Sequence, residues 1–179
     1  MPRKLIVIMG PSGCGKSTVS AALAEAIGAP MLEGDEFHSQ ANRAKMAAGI
    51  ALTDCDRADW IDRIWKALSD ELAPRVVLAC SALTPYVQSR LWEACDRDVQ
   101  FVLLEAPREV LLQRMEQRTD HFMPVSLLDS QLDALTAPED AIRIDAREPV
   151  EAIVSAIRRA LNEQAEQQHG DKANQSHQR

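Results

Sequence analysis

A glycine-rich segment near the start of the chain constrains the fold more than any other feature. Residues 10–17 read Gly-Pro-Ser-Gly-Cys-Gly-Lys-Ser, and they follow the apolar run 5–9, Leu-Ile-Val-Ile-Met. A helical pattern begins directly after them. This G-x-x-x-x-G-K-S motif, placed between a strand and a helix, is typical of a phosphate-binding loop. It predicts a strand–loop–helix unit whose loop wraps the phosphates of a nucleotide.

The residue types in this loop each have a physical role. Glycines allow a tight turn with no side chain in the way of a phosphate. The loop N–H groups and the positive end of the following helix attract phosphate oxygens. Lys16 can reach the β- and γ-phosphates, and the hydroxyl of Ser17 is the expected Mg²⁺ ligand. Cys14 is interpreted as a small residue that fills a loop position.

Composition limits the classes of protein to consider. A chain of 179 residues with 46% hydrophobic residues is most simply one globular domain. Its net charge of −7 argues against a nucleic-acid partner, and no apolar run approaches a membrane span. The four cysteines lack metal-ligand spacing, which indicates reduced thiols. The first strand begins too early to leave room for a signal peptide, so we predict a cytoplasmic protein.

Strand and helix patterns alternate along the chain. We predict a doubly wound α/β fold, a three-layer sandwich around a parallel sheet of about five strands. The strands are expected at 4–9, 30–34, 76–80, 99–105 and 141–145, and the helices at about 16–27, 57–73, 85–95, 107–118, 125–136 and 149–165. Residues 1–161 form the single domain, and the polar segment 162–179 is expected to be a disordered tail.

Candidate residues for a second substrate follow the second predicted strand. Asp35 stands at the carboxyl end of that strand, where a carboxylate near the γ-phosphate can orient or deprotonate a hydroxyl group. His38 follows three residues later and shares one pocket with Asp35 if a helical turn begins there. Two alternatives stay open, a helix N-cap for Asp35 and a surface histidine for His38.

Several ordered motifs resemble the gluconokinase family of small phosphate-loop kinases. Residues 34–38 fit G-D-x-x-H, residues 42–60 fit N-x-x-K-M-x-x-G-x-x-L-x-D-x-D-R-x-x-W, and residues 80–83 read C-S-A-L. Residues 118–124 fit R-x-x-H-F-M-P, and residues 127–131 fit L-L-x-S-Q. The resemblance spans residues 5 to about 158. It implies a P-loop kinase fold, like that of the nucleoside monophosphate kinases.

This resemblance implies ATP-dependent phosphorylation of D-gluconate at its 6-hydroxyl group in sugar-acid catabolism. It places Asp35 at the acceptor hydroxyl and makes His38 and Arg57 candidates for binding the sugar acid, within an acceptor-binding segment at about 35–73. A salt bridge of Arg57 to Asp54 or Asp56 is the alternative. A homodimer is also implied. The residues expected to hold ATP and Mg²⁺ are Gly10, Ser12, Gly13, Cys14, Gly15, Lys16, Ser17 and Thr18, with Ser17 as the metal ligand.

Residues at about 114–126 resemble the lid of these kinases. Arg114 and Arg118 are four residues apart, so they share one helix face that can meet the β- and γ-phosphates on closure. We predict a catalytic role for Arg118 and a nucleotide-binding role for Arg114. The alternative is a solvated basic face paired with Glu116 or Asp120.

The helix after residue 83 departs from the family pattern. Thr84, Gln88 and Trp92 stand where the family has basic residues. Arg90 lies two positions away from the nearest of these places, about 200° around a helix, and is no simple substitute. The alternatives are therefore a related kinase that acts on shikimate or another aldonate, and a catalytically weak ATP-binding regulator.

Overall fold

A computed structural model describes residues 3–93, 96–117 and 124–175, with side chains given up to residue 164. Five parallel strands form one sheet in the order β2-β3-β1-β4-β5. The strands are β1 (Lys4–Met9), β2 (Met31–Glu33), β3 (Arg75–Ala79), β4 (Asp98–Glu105) and β5 (Ile142–Asp145). Each expected strand is therefore present, within two residues of its predicted ends.

Helices cover both faces of this sheet. They are α1 (Lys16–Ile27), α2 (Gln40–Ala47), α3 (Asp54–Asp70), α4 (Pro85–Glu93), α5 (Arg108–Glu116), α6 (Leu128–Ala134) and α7 (Val150–Gln175). Short 3₁₀ turns at Gly34–Phe37 and Val125–Leu127 precede α2 and α6. The three-layer α/β sandwich that the sequence predicts is confirmed.

Alternate residues of β1 enter two separate hydrophobic cores. Leu5, Val7 and Met9 pack with side chains of α3 and α4 on one face of the sheet. Ile6 and Ile8 pack with side chains of α1, α5 and α7 on the other. Successive strand residues point to opposite faces, so a strand buried on both sides is apolar throughout. This geometry explains the uninterrupted run of hydrophobic residues before the glycine-rich loop.

The helix expected at about 57–73 lies three residues earlier, as α3, because the capping box of Thr53 and Asp56 starts it at Asp54. Two further helix expectations differ from the structure. Residues 40–47 form α2, which the sequence analysis left unassigned, because few apolar residues mark its buried side. The last helix ends at Gln175, so the expected end near residue 165 is wrong. The predicted disordered tail at 162–179 includes residues 176–179, which lie outside the described residues, and it stays a prediction. Within the described ranges, no helix is long and apolar enough to span a membrane.

Candidate functional site

Close packing and backbone shape both require glycine in the loop after β1. A Cβ atom on Gly10 would lie 2.8 Å from the carbonyl oxygen of Leu104, and one on Gly13 would lie 2.7 Å from that of Leu111. Gly15 has φ +98° in the left-handed region and open space around it, and it forms the N-cap of α1. The loop is therefore pressed against β4 and α5 at two points, while its third glycine faces open space.

The side chains of the loop divide between the core and the solvent-accessible side. Cys14 is 1% exposed and belongs to the core between the sheet and α1, which agrees with its interpretation as a filling residue. Lys16 donates a hydrogen bond of 3.0 Å from Nζ to the carbonyl oxygen of Pro11. The first turn of α1 contains no acidic residue, so nothing on that turn offsets the positive end of the helix.

Glu33, at the end of β2, is a functional candidate that sequence reasoning missed. Burial raises the pKa of its carboxyl group, the charge of Asp35 adds to this, and a hydrogen bond with the Ser17 side chain opposes it. The carboxylate of Glu33 therefore lies near the residue expected to bind Mg²⁺. An acidic residue at a strand end, two positions before Asp35, was the available sequence signal.

Asp35 lies in the 3₁₀ turn that follows β2, and neighbouring groups fix this turn. A Cβ atom on Gly34 would lie 2.6 Å from the carbonyl oxygen of Ala79, so the turn packs directly against β3. Trp60 donates a hydrogen bond of 2.7 Å from Nε1 to the carbonyl oxygen of Gly34. Arg43 donates hydrogen bonds to the carbonyl oxygens of Asp35, Glu36 and His38. The position of Asp35 is thus set by its backbone.

His38 is a buried, neutral ring rather than a surface histidine. It stacks on Trp60 with ring centroids 4.5 Å apart and an interplanar angle of 12°. Burial lowers its pKa to about 4, against the charge of Asp35, which raises it. Its Nδ1 atom is buried with no hydrogen-bond partner among the described residues. The ring therefore stays uncharged at neutral pH.

The segment between α2 and α3 is held by residues of the N-x-x-K…D-R pattern. Thr53 and Asp56 form a reciprocal capping box at the start of α3. Asn42 donates a hydrogen bond of 2.7 Å to the carbonyl oxygen of Asp56, and Lys45 forms an ion pair of 2.6 Å with its carboxylate. The hydrogen bond from Lys45, followed by those from the backbone and side chain of Thr53, lowers the pKa of Asp56 to about 2. The pattern thus locks α2 onto the first turn of α3.

Arg57 lies on this first turn and faces a cleft. Its guanidinium pairs with Asp54 at 2.8 Å while its side chain is 22% exposed. The salt bridge to Asp54 that the sequence analysis gave as the alternative is therefore present, and Arg57 also lines the cleft. Its role in binding a sugar acid stays a prediction.

The main cleft joins the glycine-rich loop to the segment that follows β2. Ser12 and Lys16 line one part of it, and Asp35, His38 and Arg57 line another. Its remaining walls are Met46, Ala51, Leu52, Trp60, Ser81, Leu83, Thr84, Val87, Leu127, Ser130, Gln131 and Ala134. The cleft thus contains one carboxylate, a lysine and an arginine on mostly apolar walls, a pattern typical of small-molecule sites.

The amide of Ser12 is already bonded within the protein. It donates a hydrogen bond of 2.7 Å to Oε1 of Gln131. Ser12 was expected among the nucleotide-binding residues, but the structure places it in the main cleft with its N–H group bonded to a side chain. Gln131 is a second residue that the sequence analysis left without a role.

Helix α4 and the residue before it contain the three departures from the family pattern, and each of the three side chains has a contact partner in the structure. Thr84 lines the main cleft and caps α4 by accepting from the N–H of Val87 at 3.4 Å. Gln88 is 4% exposed and donates to the carbonyl oxygens of Ala82 and Thr136. Trp92 packs edge-on against Phe101. Of these three residues only Thr84 lines the cleft, and it adds no charge there.

Arg90 points away from the main cleft, as its position on the helix predicts. It forms an ion pair of 2.6 Å with Asp62 and lies over the ring of Trp65. It therefore does not replace a basic residue of the cleft.

A second cleft lies on the other side of the glycine-rich loop. Its walls are Gly13, Cys14, Gly15, Thr18, Val19, Arg114, Gln117, Ala146, Glu148, Val150 and Ile153. Arg114 donates a hydrogen bond of 2.8 Å to the carbonyl oxygen of Ala146 and so reaches this cleft from α5. Arg118 lies outside the described residues, as does the whole part of the predicted lid that spans residues 118–123. The phosphate-binding loop thus has one cleft on each side.

The donor set near Ser17 suits a hard divalent cation. The hydroxyl of Ser17 and the carboxylates of Glu33 and Asp35 are oxygen donors of the type that Mg²⁺ prefers. The described part of the chain contains no group of three or more His, Cys, Asp or Glu residues that could hold a metal ion by themselves. An ion bound here would therefore depend on phosphate oxygens as well.

Comparison with known proteins gives concordant results. The family model described as an AAA domain matches residues 5–138. A gluconokinase of Arabidopsis thaliana is 43% identical over 151 residues, which cover 76% of this chain and 79% of the plant protein. The crystal structure of a gluconokinase from Sinorhizobium meliloti 1021 has a TM-score of 0.82 and 40% identity, covering 95% of this chain and 97% of that chain.

A more distant likeness extends to another kinase. Shikimate kinase from Aquifex aeolicus vf5 has a TM-score of 0.60 and 18% identity, covering 90% of this chain and 98% of that chain. At this level of identity the likeness concerns the fold alone.

Proposed function

The chain belongs to the gluconokinase family and matches the AAA domain model, and from this premise we propose that it transfers the γ-phosphate of ATP to the 6-hydroxyl group of D-gluconate. The product is 6-phospho-D-gluconate. The observation that carries the proposal is the composition of the main cleft. One cavity brings Lys16 of the phosphate-binding loop together with Asp35, His38 and Arg57.

The charges of the main cleft match a sugar acid. Arg57 is partly exposed in the cleft and already oriented by Asp54, and a guanidinium binds a carboxylate by two parallel hydrogen bonds. His38 is uncharged at neutral pH because burial lowers its pKa to about 4. A neutral ring can accept from a sugar hydroxyl or donate to one. The anionic end of gluconate therefore binds at Arg57, and its hydroxyl groups bind beside His38.

Asp35 acts on the hydroxyl group that receives the phosphate. Its carboxylate accepts the proton of the 6-hydroxyl as the oxygen forms a bond to the γ-phosphorus, and the bond to the β-phosphate oxygen breaks to release ADP. Lys16 leaves the carbonyl oxygen of Pro11 and pairs with the β- and γ-phosphates. The hydroxyl of Ser17 would hold Mg²⁺ when ATP binds, and the ion would neutralise phosphate charge there.

The second cleft is assigned to the nucleoside part of ATP. Thr18 and Arg114 line it beside Gly13 and Gly15 of the loop, so the phosphates of a nucleotide bound there reach Lys16. Arg118 belongs to the predicted lid. We assign its guanidinium to the phosphoryl group being transferred, whose negative charge it offsets in the transition state. The cytoplasmic location and the homodimer also remain proposals.

A coupled ADP-release assay with purified protein and Mg-ATP tests the function. The acceptor panel contains gluconate, other aldonates, shikimate and nucleoside monophosphates. We expect turnover with gluconate, and none in the control variant Lys16→Ala, which removes the lysine from the loop. Turnover with shikimate but not gluconate would overturn the proposal.

A related aldonate is the second candidate substrate. Thr84, Gln88 and Trp92 add no charge to the cleft where the family pattern has basic residues. The same panel separates the two candidates by the kcat/KM ratio for each acid. A higher ratio for another aldonate would move the assignment to that acid while leaving the reaction type unchanged.

A further inference from the structure

We infer that Gln131 is an acceptor-binding residue that connects the sugar acid to the phosphate-binding loop. The inference rests on the proposed function and adds a residue to its site. The starting observation is the hydrogen bond of 2.7 Å from the N–H of Ser12 to Oε1 of Gln131. This bond fixes the orientation of the side-chain amide, because only its oxygen can accept from an N–H group.

The orientation leaves the two N–H donors of Gln131 available to a ligand. Among the described residues no hydrogen bond from Nε2 of Gln131 to the protein is present, and this side chain lines the main cleft with Asp35, His38 and Arg57. It does not line the second cleft, where Thr18 and Arg114 lie. The free donors therefore serve the acceptor and not the nucleoside.

The helix that carries Gln131 is held at both ends. At the start of α6, Arg108 of α5 forms two hydrogen bonds of 2.6 and 2.9 Å with the carboxylate of Asp129. After its end, Thr136 donates a backbone hydrogen bond of 2.9 Å to Leu83 and accepts one of 2.6 Å from Gln88. Gln131 is thus presented to the cleft before any ligand binds, which lowers the entropic cost of binding.

The chemistry of the free donors defines what they recognise. A side-chain NH₂ group donates to hydroxyl, carboxylate or phosphate oxygens and rejects groups that only donate. A polyhydroxy acid supplies such oxygens along its whole length. An acceptor bonded to Nε2 is joined through Oε1 and the amide of Ser12 to the loop that holds the γ-phosphate. Gln131 thereby aligns the acceptor with the phosphate to be transferred.

Two substitutions separate this role from simple support of the loop. Gln131→Glu keeps an oxygen for the N–H of Ser12 but replaces the donors by a second oxygen. Gln131→Met has a side chain of similar length but has neither the oxygen that accepts from Ser12 nor the N–H donors that face the ligand. Asp133→Asn, at an exposed position of the same helix, is the matched control. Steady-state KM values for gluconate and for ATP are measured for all of them, together with the thermal unfolding midpoint.

We expect both Gln131 variants to raise the KM for gluconate by roughly tenfold, the upper end of the loss expected for one hydrogen bond between uncharged groups. Gln131→Glu should have the larger effect because it repels an anionic acid, and its KM for ATP should change less than its KM for gluconate. A residue that only supports the loop would change both KM values together in Gln131→Met and recover both in Gln131→Glu. That recovery would overturn the inference.

The wild-type protein distinguishes a failure of this inference from a failure of the proposed function. If the wild type does not phosphorylate gluconate, the proposed function fails, and the acid identified in the panel replaces gluconate in the same comparison. If the wild type is active and Gln131→Glu keeps its gluconate KM within about twofold, the role of Gln131 is contradicted. If Gln131→Met does not fold, Gln131→Glu still decides the outcome.

Discussion

At the scale of single residues, three polar side chains of the main cleft are each held in place by a different kind of contact. Asp35 is held through its backbone by Arg43 and by the packing of Gly34 against β3. Arg57 is oriented by Asp54. His38 is kept neutral by burial and by its position on Trp60. The environment of each of these three residues leads to a separate prediction.

Substitution of Asp35 should affect the chemical step. Asp35→Asn keeps the shape of the side chain and removes the base, so we expect kcat to fall by about 10²- to 10⁴-fold while the KM for ATP stays near that of the wild type. Glu36→Gln is the matched control, since Glu36 is the exposed neighbour in the same turn. Full activity of Asp35→Asn in the ADP-release assay would remove Asp35 from the catalytic role.

Substitution of Arg57 should affect binding of the acid. Arg57→Ala loses the guanidinium proposed to hold the carboxylate, so the KM for gluconate should rise by about tenfold to a hundredfold. Arg63→Ala provides the control, because Arg63 is exposed on the same helix and pairs with Asp59. Steady-state kinetics at saturating ATP measure the effect. An unchanged KM for gluconate in Arg57→Ala is the result that excludes the assignment.

His38 should make the stability of the fold depend on pH. Burial lowers its folded-state pKa to about 4, whereas the unfolded chain has the ordinary value of 6.5. The unfolded state therefore binds more protons between these values, and the free energy of unfolding falls as the pH drops from about 6.5 to about 4. His38→Phe keeps a ring against Trp60 and should remove this loss.

Urea unfolding of both proteins at about pH 7.5 and about pH 5 measures the contribution of His38, because the difference between them cancels groups common to both. If wild type and His38→Phe lose the same stability on acidification, His38 is not the group responsible.

At the scale of elements, the start of α3 organises the main cleft. The capping box of Thr53 and Asp56 fixes the first turn, and Arg57 lies on that turn. Ion pairing of Lys45 with Asp56 joins α2 to the same place. A helix begun one turn later would carry Arg57 out of its present position. The proposed acceptor site therefore depends on a local capping motif.

Removal of this cap should weaken both stability and binding. Thr53→Ala should lower the free energy of unfolding by about 1 kcal/mol, the usual cost of losing an N-cap, and should raise the KM for gluconate. Ser69→Ala, at an exposed position near the other end of α3, is the control. Urea titration and steady-state kinetics give the two values. A stability loss equal to that of the control would show that the cap has no such effect.

The strands and helices that could be predicted from the sequence are those with a strong hydrophobic pattern of their own. The β1 strand is apolar on both faces, so its residues 4–9 were predicted to the residue. Helix α2 was missed because only Asn42 and Met46 among its residues are buried, and its position depends on contacts with Asp56 of α3. Such a contact between elements leaves no periodic pattern in the chain.

At the scale of the whole molecule, the strand order places one cleft on each side of the phosphate-binding loop. β1 lies between β3 and β4, so connections from its end can turn to either side of the sheet. Asp35 and Ser81 follow β2 and β3 and line the main cleft, and Ala146 follows β5 and lines the second. In the proposed reaction, the acceptor and the nucleoside would therefore approach the transferred phosphate from opposite sides.

Sequence motifs predicted most of the polar residues of the main cleft, but they did not predict the contacts between residues that are distant in sequence. Lys16, Asp35, His38 and Arg57 were chosen from the chain, and the structure brings all of them to one cavity. Glu33 and Gln131 were not chosen, because their importance depends on contacts with Ser17 and Ser12, which are distant in sequence. Local spacing cannot predict a hydrogen bond of this kind.

Identification of the product tests the central claim most directly. Purified protein is incubated with Mg-ATP and gluconate in the presence of NADP⁺ and 6-phosphogluconate dehydrogenase, and NADPH formation is followed by absorbance. We predict NADPH formation that requires both ATP and gluconate and that disappears in Lys16→Ala. Release of ADP without NADPH formation, or no reaction with gluconate, would contradict transfer to the 6-hydroxyl group.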